Sequence, residues 1–272
     1  MKKIILAFDG THFSQGAFEF ARKLNEIERI LLVGVFLPQA EFANLWSYAH
    51  VAEHTFIPLI EAQDAEQVQE NISKFEKRCR DSGIKCKVHK NFADLALNEL
   101  EAQSRFADLV ILGSEVFFEQ MGTNLPNEFL EDALRAVSCP VILVPEKFEF
   151  PESIVLAYDG SYNSVFAIKL YYYLFPESRN IKTLLVYAKD GDTSIPEKDQ
   201  LEELLGGHFN DLRLLKIDSA PGKYLQNWLL ERKSSILVCG SYGRSGISQL
   251  FKKSFVRDII AQHKIPVFIA HK

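Results

Sequence analysis

The stretch Ile4-Ile5-Leu6-Ala7-Phe8-Asp9-Gly10-Thr11 returns 150 residues later as Ile154-Val155-Leu156-Ala157-Tyr158-Asp159-Gly160-Ser161. Each copy is a short apolar run that ends on Asp-Gly and a hydroxyl residue. Runs without alternation suit strands covered on both faces. Two further matches keep the order: Leu109-Val110-Ile111-Leu112-Gly113-Ser114 with Ser235-Ile236-Leu237-Val238-Cys239-Gly240-Ser241, and Cys139-Pro140-Val141-Ile142-Leu143 with Ile265-Pro266-Val267-Phe268-Ile269. The chain is therefore an internal repeat. Its 272 residues divide into an expected first domain over 1–146 and a second over 147–272, with Pro145 to Pro151 as the linker. The first copy carries extra residues, mostly in the aromatic stretch 42–56. That stretch is either an interaction surface or a lid.

Strand-like runs lie at 3–8, 29–36, 85–89, 108–112 and 141–144, and again at 153–158, 181–187, 212–216, 235–239 and 266–270. Helix-period segments separate them. Over 64–82, Ala65, Val68, Ile72, Phe75 and Cys79 recur at three and four, the spacing of one buried face. Over 126–137, Phe129, Leu130, Ala133, Leu134 and Val137 do the same behind Pro126 in the first turn. Alternating strand and helix predicts right-handed crossovers. The fold class is α/β: two tandem five-stranded, mostly parallel, doubly wound sheets flanked by helices, in a flavodoxin-like or related order. The two halves are expected to pack together as a pseudo-dimer. In such sheets ligands bind beyond the carboxyl ends of the strands, where the strand order reverses.

Composition narrows the function. Hydrophobic residues are 47% and charged residues 25%, an ordinary soluble balance. No apolar run nears the roughly 20 residues of a membrane span, and the run from Ile4 to Phe8 is too short for a signal-peptide core. Four cysteines form no CxxC pair. A cytoplasmic protein with reduced thiols is expected. The net charge of −5 argues against nucleic-acid binding. It is unevenly shared: residues 1–146 hold 14 Lys/Arg against 22 Asp/Glu, and residues 147–272 hold 17 against 14. An anion site belongs in the second half. The histidines form no HExxH motif, and no metal site is predicted from protein ligands.

Two segments past strand ends carry the chemistry. Asp159-Gly160-Ser161 reads either as a helix-capping turn or as a carboxylate for a ligand hydroxyl or amine. Gly240-Ser241-Tyr242-Gly243-Arg244-Ser245-Gly246 has the glycines that let backbone N–H groups turn toward an anion. Arg244, Lys252 and Lys253 add positive charge, and Ser254 opens a helix with Phe255, Val256, Ile259 and Ile260 inward. Phosphate is favoured at such a helix start. The first half lacks this apparatus. Val116 stands where the second half has Gly243, and Asn127-Glu128 where it has Lys253-Ser254. Glu115 and Glu128 would face the phosphate region. A carboxylate ~4 Å from a phosphate charge costs about 1–4 kcal/mol at surface-like dielectric, which predicts a degenerate first site.

On these residues the chain resembles a tandem universal stress protein over nearly its whole length. The likeness rests on Asp-Gly-Ser/Thr after each first strand, Gly-Ser after each fourth, and the Pro-Val openings of each fifth. The ATP-binding branch of that family is marked by Gly, two residues, Gly, nine residues and Gly-Ser/Thr. Gly240, Gly243 and Ser254 match at that spacing, with Lys253 in place of the last glycine. The resemblance implies an adenine nucleotide alpha hydrolase-like fold and ATP or AMP bound in the second domain. Asp159 and Gly160 would lie at the adenosine, Gly240, Ser241, Gly243 and Arg244 around ribose and phosphates, Ser254 on a phosphate, and Tyr187 would offer backbone to adenine. Lys253 either adds charge or fills the space that the glycine leaves.

The expected role is that of a nucleotide-responsive binding module in stress adaptation, with a protein partner or a second copy as further possible partners. The alternative is a degenerate tandem protein that acts through protein contacts or another small ligand. Phosphate cradling without an evident base provides binding more readily than catalysis, so slow ATP hydrolysis is the most enzymatic outcome. Gly243→Val should abolish nucleotide binding in calorimetry, because a β-branched residue blocks the close backbone approach. Val116→Ala should leave it unchanged.

Overall fold

The computed structural model describes residues 1–8, 12–37, 62–89, 96–115, 128–188, 194–217, 234–240, 259–260 and 262–270. Its strands are β1 (Lys2–Phe8), β2 (Ile30–Phe36), β3 (Lys85–His89), β4 (Leu109–Gly113), β5 (Val141–Val144), β6 (Ser153–Tyr158), β7 (Lys182–Ala188), β8 (Leu212–Ile217), β9 (Ser235–Gly240) and β10 (Val267–Ala270). The helices are α1 (Gln15–Ile27), α2 (Ala62–Asp81), α3 (Ala96–Ser104), α4 (Glu128–Ala136), α5 (Tyr162–Leu174) and α6 (Lys198–Gly206), with a 3-10 turn over Pro176–Asn180. No helix among the described residues is long and apolar enough to cross a membrane.

The strands form one sheet in the order β3-β2-β1-β4-β5-β10-β9-β6-β7-β8. Each half thus runs 3-2-1-4-5, with its order reversing between the first and fourth strands. This is the related order rather than the flavodoxin one, 2-1-3-4-5. The two sheets expected from the repeat are also one, because β5 and β10 pair antiparallel: Leu143 faces Val267, Ile142 faces Phe268 and Val141 faces Ile269. Every other pairing is parallel. Ile142 and Phe268 are also each other's counterparts in the repeat, 126 residues apart. A pseudo-two-fold axis therefore passes between them. Proline opens both segments, a place where its missing N–H breaks no ladder bond. The Val110 N–H donates to the Pro140 carbonyl at 2.9 Å, and the Leu237 N–H donates to the Pro266 carbonyl at 3.0 Å.

Both faces of the sheet are covered, which explains the unalternating runs. One face meets α1, α2, α5 and α6 through Phe18, Phe75, Ile168, Tyr171 and Leu205; the other meets α3 and α4 through Leu100, Leu130 and Leu134. Val68, Ile72, Phe75 and Cys79 of α2 are buried, as their spacing predicts. Ala65 and Phe129 lie outside the residues whose burial is described. The linker is itself packed: Phe148 and Phe150 lie 5.6 and 5.3 Å from the Phe20 ring. Beside the central pair, Phe268 has no exposed surface and meets Tyr171 and Phe175 edge-on at 5.3 and 6.3 Å. Phe268→Ala should cost about 3–5 kcal/mol, read from the urea midpoint.

Candidate functional site

In the second half the order reverses between β6 and β9, so the crevice lies beyond Tyr158 and Gly240. Asp159, directly after β6, accepts the Ser161 N–H on Oδ1 at 2.9 Å. Ser161 Oγ in turn accepts the Ser164 N–H at 3.2 Å and caps α5. Gly160 between them has φ +81°, a left-handed conformation costly to any residue with a β-carbon. The capping reading of Asp-Gly-Ser is therefore realised.

Gly240 has a structural duty of its own. A β-carbon there would overlap the Asn163 carbonyl and come within 2.6 Å of the Ser164 nitrogen. The first turn of α5 thus rests on bare backbone, and its N–H end is held against the rim of the crevice. Tyr187, at the end of β7, pairs across the ladder with Tyr158. Its ring is 1% exposed, and its hydroxyl has no hydrogen-bond partner among the described residues. The neighbouring Tyr158 hydroxyl donates to the Pro196 carbonyl at 3.1 Å, and burial together with Glu197, Asp159 and Tyr187 raises its pKa. Cys239, buried beside Asp159, has its thiol pushed up to about 12, first by burial and then by that carboxylate. It is inert at neutral pH. Among the described residues no group of three or more metal-ligating side chains forms a cation site.

Asp159, Gly160, Tyr187 and Gly240 thus share the carboxyl edge of β6, β7 and β9. Ser241, Gly243, Arg244, Lys253 and Ser254 lie outside the described residues, as do Asp9, Gly10, Thr11, Val116, Asn127 and the aromatic stretch 42–56. Sequence reasoning missed Pro196, whose ring approaches Gly160: a β-carbon there would sit 3.2 Å from Pro196 Cγ. No periodicity or motif marks such a contact.

The first half holds a network that its sequence only hinted at. The Glu115 carboxylate does not point at an empty phosphate position; it accepts the Glu146 N–H at 2.8 and 3.0 Å. The Glu146 carboxylate accepts the Gln15 and Gly16 N–H groups at 2.9 and 3.1 Å, at the start of α1. A β-carbon on Gly16 would come within 2.7 Å of Glu146 Cα, so the linker backbone lies tight on the helix. Ser114 Oγ lies 3.1 Å from Glu115 Oε2 and 2.9 Å from Nδ1 of His263, which belongs to the other half. The helix start that could have held an anion holds the chain's own carboxylate. The side chain of Glu128 lies outside those described.

No protein-family model matches this sequence, and no curated protein matches it either. Solved structures do. A universal stress protein from Archaeoglobus fulgidus DSM 4304 superposes with a TM-score of 0.71 at 15% identity, covering 100% of this chain and 96% of that one. It has the fold of a universal stress protein. A protein of unknown function from Pseudomonas aeruginosa PAO1 also covers 100% of this chain and 92% of its own, with a TM-score of 0.57 and 10% identity. The match to the universal stress protein spans both halves of this chain.

Within this fold Glu115 is a partly buried carboxylate. Burial raises its pKa, outweighing the lowering by its hydrogen bonds to the Glu146 amide and Ser114. The native state then keeps a proton that the unfolded chain has released, so stability falls as pH climbs from the ordinary carboxylate value through the raised one. Glu115→Gln keeps an oxygen for the Glu146 N–H and has no charge to bury. Urea unfolding followed upward from about pH 4 should show wild type losing stability relative to the variant as pH rises.

Proposed function

We propose that this chain is a two-domain universal stress protein, divided near residue 146, that binds an adenine nucleotide in its second half and acts as a nucleotide-responsive binding module. The observation that carries the reading is the contrast between the two crevices. Two residues past β5 stands Glu146, whose carboxylate occupies the amides at the start of α1. Two residues past β10 the sequence has Lys272. Likewise Glu115 follows the Gly-Ser after β4, whereas Tyr242 follows the Gly-Ser after β9. The repeat thus carries acids on one side and a base with an aromatic on the other. Phosphate discriminates between these by charge alone.

Asp159 stands directly after β6, and a carboxylate there suits a ribose hydroxyl. The β6/β9 reversal sets it beside Gly240 and the start of α5, the arrangement in which open α/β sheets take nucleotides. The glycine loop from Gly240 to Gly246, with Arg244, would follow the phosphates, and Ser254 would meet them from its helix. The residues set around the phosphates include no evident general base, which favours binding and release over hydrolysis. A binding module of this kind works by presenting a different surface with and without nucleotide, and a cytoplasmic setting suits both the ligand and the unpaired cysteines.

Mass spectrometry of small molecules released from purified protein should detect an adenine nucleotide. Calorimetry of ATP and adenosine with wild type, Lys253→Ala and Lys253→Gly then defines the departure from the family pattern. A stem that narrows the site gives tighter ATP binding in the glycine variant, the outcome we expect. A charge that replaces backbone contacts gives ATP binding about ten- to a hundred-fold weaker in Lys253→Ala, with adenosine unaffected. No released nucleotide and no titratable binding in any of the three would leave the degenerate reading, in which the chain works through protein contacts or another small ligand.

A further inference from the structure

At the opposite edge of the second half, α5 ends, the 3-10 turn follows, and α6 runs out into Gly207 and His208. Between them lies a cavity of about 130 Å³. That is close to the roughly 150 Å³ of an apolar protein cavity that takes up benzene. Its walls are Tyr172, Phe175, Pro176 and Ser178, and Arg179, Gly207 and His208 complete it. The His208 ring lies flat on Tyr172, with centroids 3.6 Å apart and planes 13° apart. That stack fixes the imidazole at the rim.

Ser178 Oγ donates to the Phe175 carbonyl at 2.6 Å, whereas Arg179 and His208 keep nitrogens to spare. Arg179 Nε donates to Asn210 Oδ1 at 3.1 Å, which aims the guanidinium, while its two terminal nitrogens have no partner among the described residues. The ring nitrogens of His208 take no hydrogen bond among the described residues. Tyr172 is 3% exposed, and its ring lies 4.5 Å from that of Tyr173. An aromatic slot of one-ring size beside an exposed guanidinium and an imidazole has one natural complement. The ring of a small acid would lie against Tyr172 and Phe175, and its carboxylate would meet the free Arg179 nitrogens in a two-point hydrogen bond.

We propose that this cavity is a binding site for a monocyclic aromatic carboxylate. It lies at the amino edge of the strands, whereas the nucleotide crevice lies at their carboxyl edge, so the two readings stand or fall separately. Gly207 provides a clean block. Its backbone is right-handed helical, at φ −74° and ψ −19°, and a β-carbon there would meet only the Leu204 carbonyl, at 3.7 Å. Leucine is therefore tolerated by the backbone at this lining position.

Benzoate, benzyl alcohol and acetate are titrated into the full chain, with binding followed by NMR on the His208 imidazole signals. Benzoate should shift them, with a dissociation constant of about 0.1–5 mM for a ligand of this size; acetate should not. Arg179→Ala should weaken benzoate about tenfold or more while leaving the weaker benzyl alcohol unchanged. Gly207→Leu, shown to be folded by circular dichroism, should lose both. Failure of benzoate to shift His208 at about ten times that range overturns the proposal. So does wild-type benzoate affinity in either variant.

Discussion

Everything in this molecule hangs on the antiparallel pairing of β5 with β10. It joins two parallel sheets into one of ten strands, and it does so at the residues that the repeat itself makes equivalent, Ile142 and Phe268. A duplicated unit with an uncovered fifth strand has a self-complementary edge, so pairing it with its own copy is an isologous contact within one chain. The antiparallel direction has a geometric consequence. The carboxyl edge of the first half comes to lie beside the amino edge of the second, and this lets His263, just ahead of β10, reach Ser114, just past β4.

That junction separates two crevices that began alike. At the equivalent position on the other side of the axis the sequence has Val137 in place of His263, a residue with no polar atom to contribute. On the first side Glu115, Glu146, Ser114 and His263 satisfy one another and the start of α1. The carboxylates there are held as structural ligands of backbone amides, which is a different physical state from repelling a phosphate in open solvent. The divergence of the halves is thus written in hydrogen bonds.

Much of this was legible beforehand, for identifiable reasons. All ten strands stand within a residue or two of the apolar runs, because a strand buried on both faces has a local signature. The buried face of α2 followed from its spacing. The order 3-2-1-4-5 and the β5–β10 pairing did not follow, since they depend on contacts more than a hundred residues apart. Asp159 and Gly160 were found as a turn, and the turn is there. Glu115 was found as an acid in the right place with the wrong partner: the amide it binds belongs to Glu146, and backbone amides have no letter in a sequence. Pro196 and His263 were missed because each acts across a loop rather than within a motif. Ser241, Gly243, Arg244, Lys253 and Ser254 remain a reading of residues whose placement is not described.

The central pairing also decides what the outside of the sheet is made of. Two separate five-stranded sheets would present four open margins; joined, they present two. The two that remain are β3, Lys-Cys-Lys-Val-His, and β8, Leu-Arg-Leu-Leu-Lys-Ile, both studded with the positive charges that discourage another chain from adding on. The two that are hidden are Val-Ile-Leu-Val and Val-Phe-Ile-Ala, without a charge or a proline between them and apt to recruit neighbours if bared. Cutting the chain at its linker and parting the halves would therefore do more than separate two domains. It would uncover a pair of adhesive seams, and the uninterrupted polypeptide keeps each seam closed by holding its match in reach.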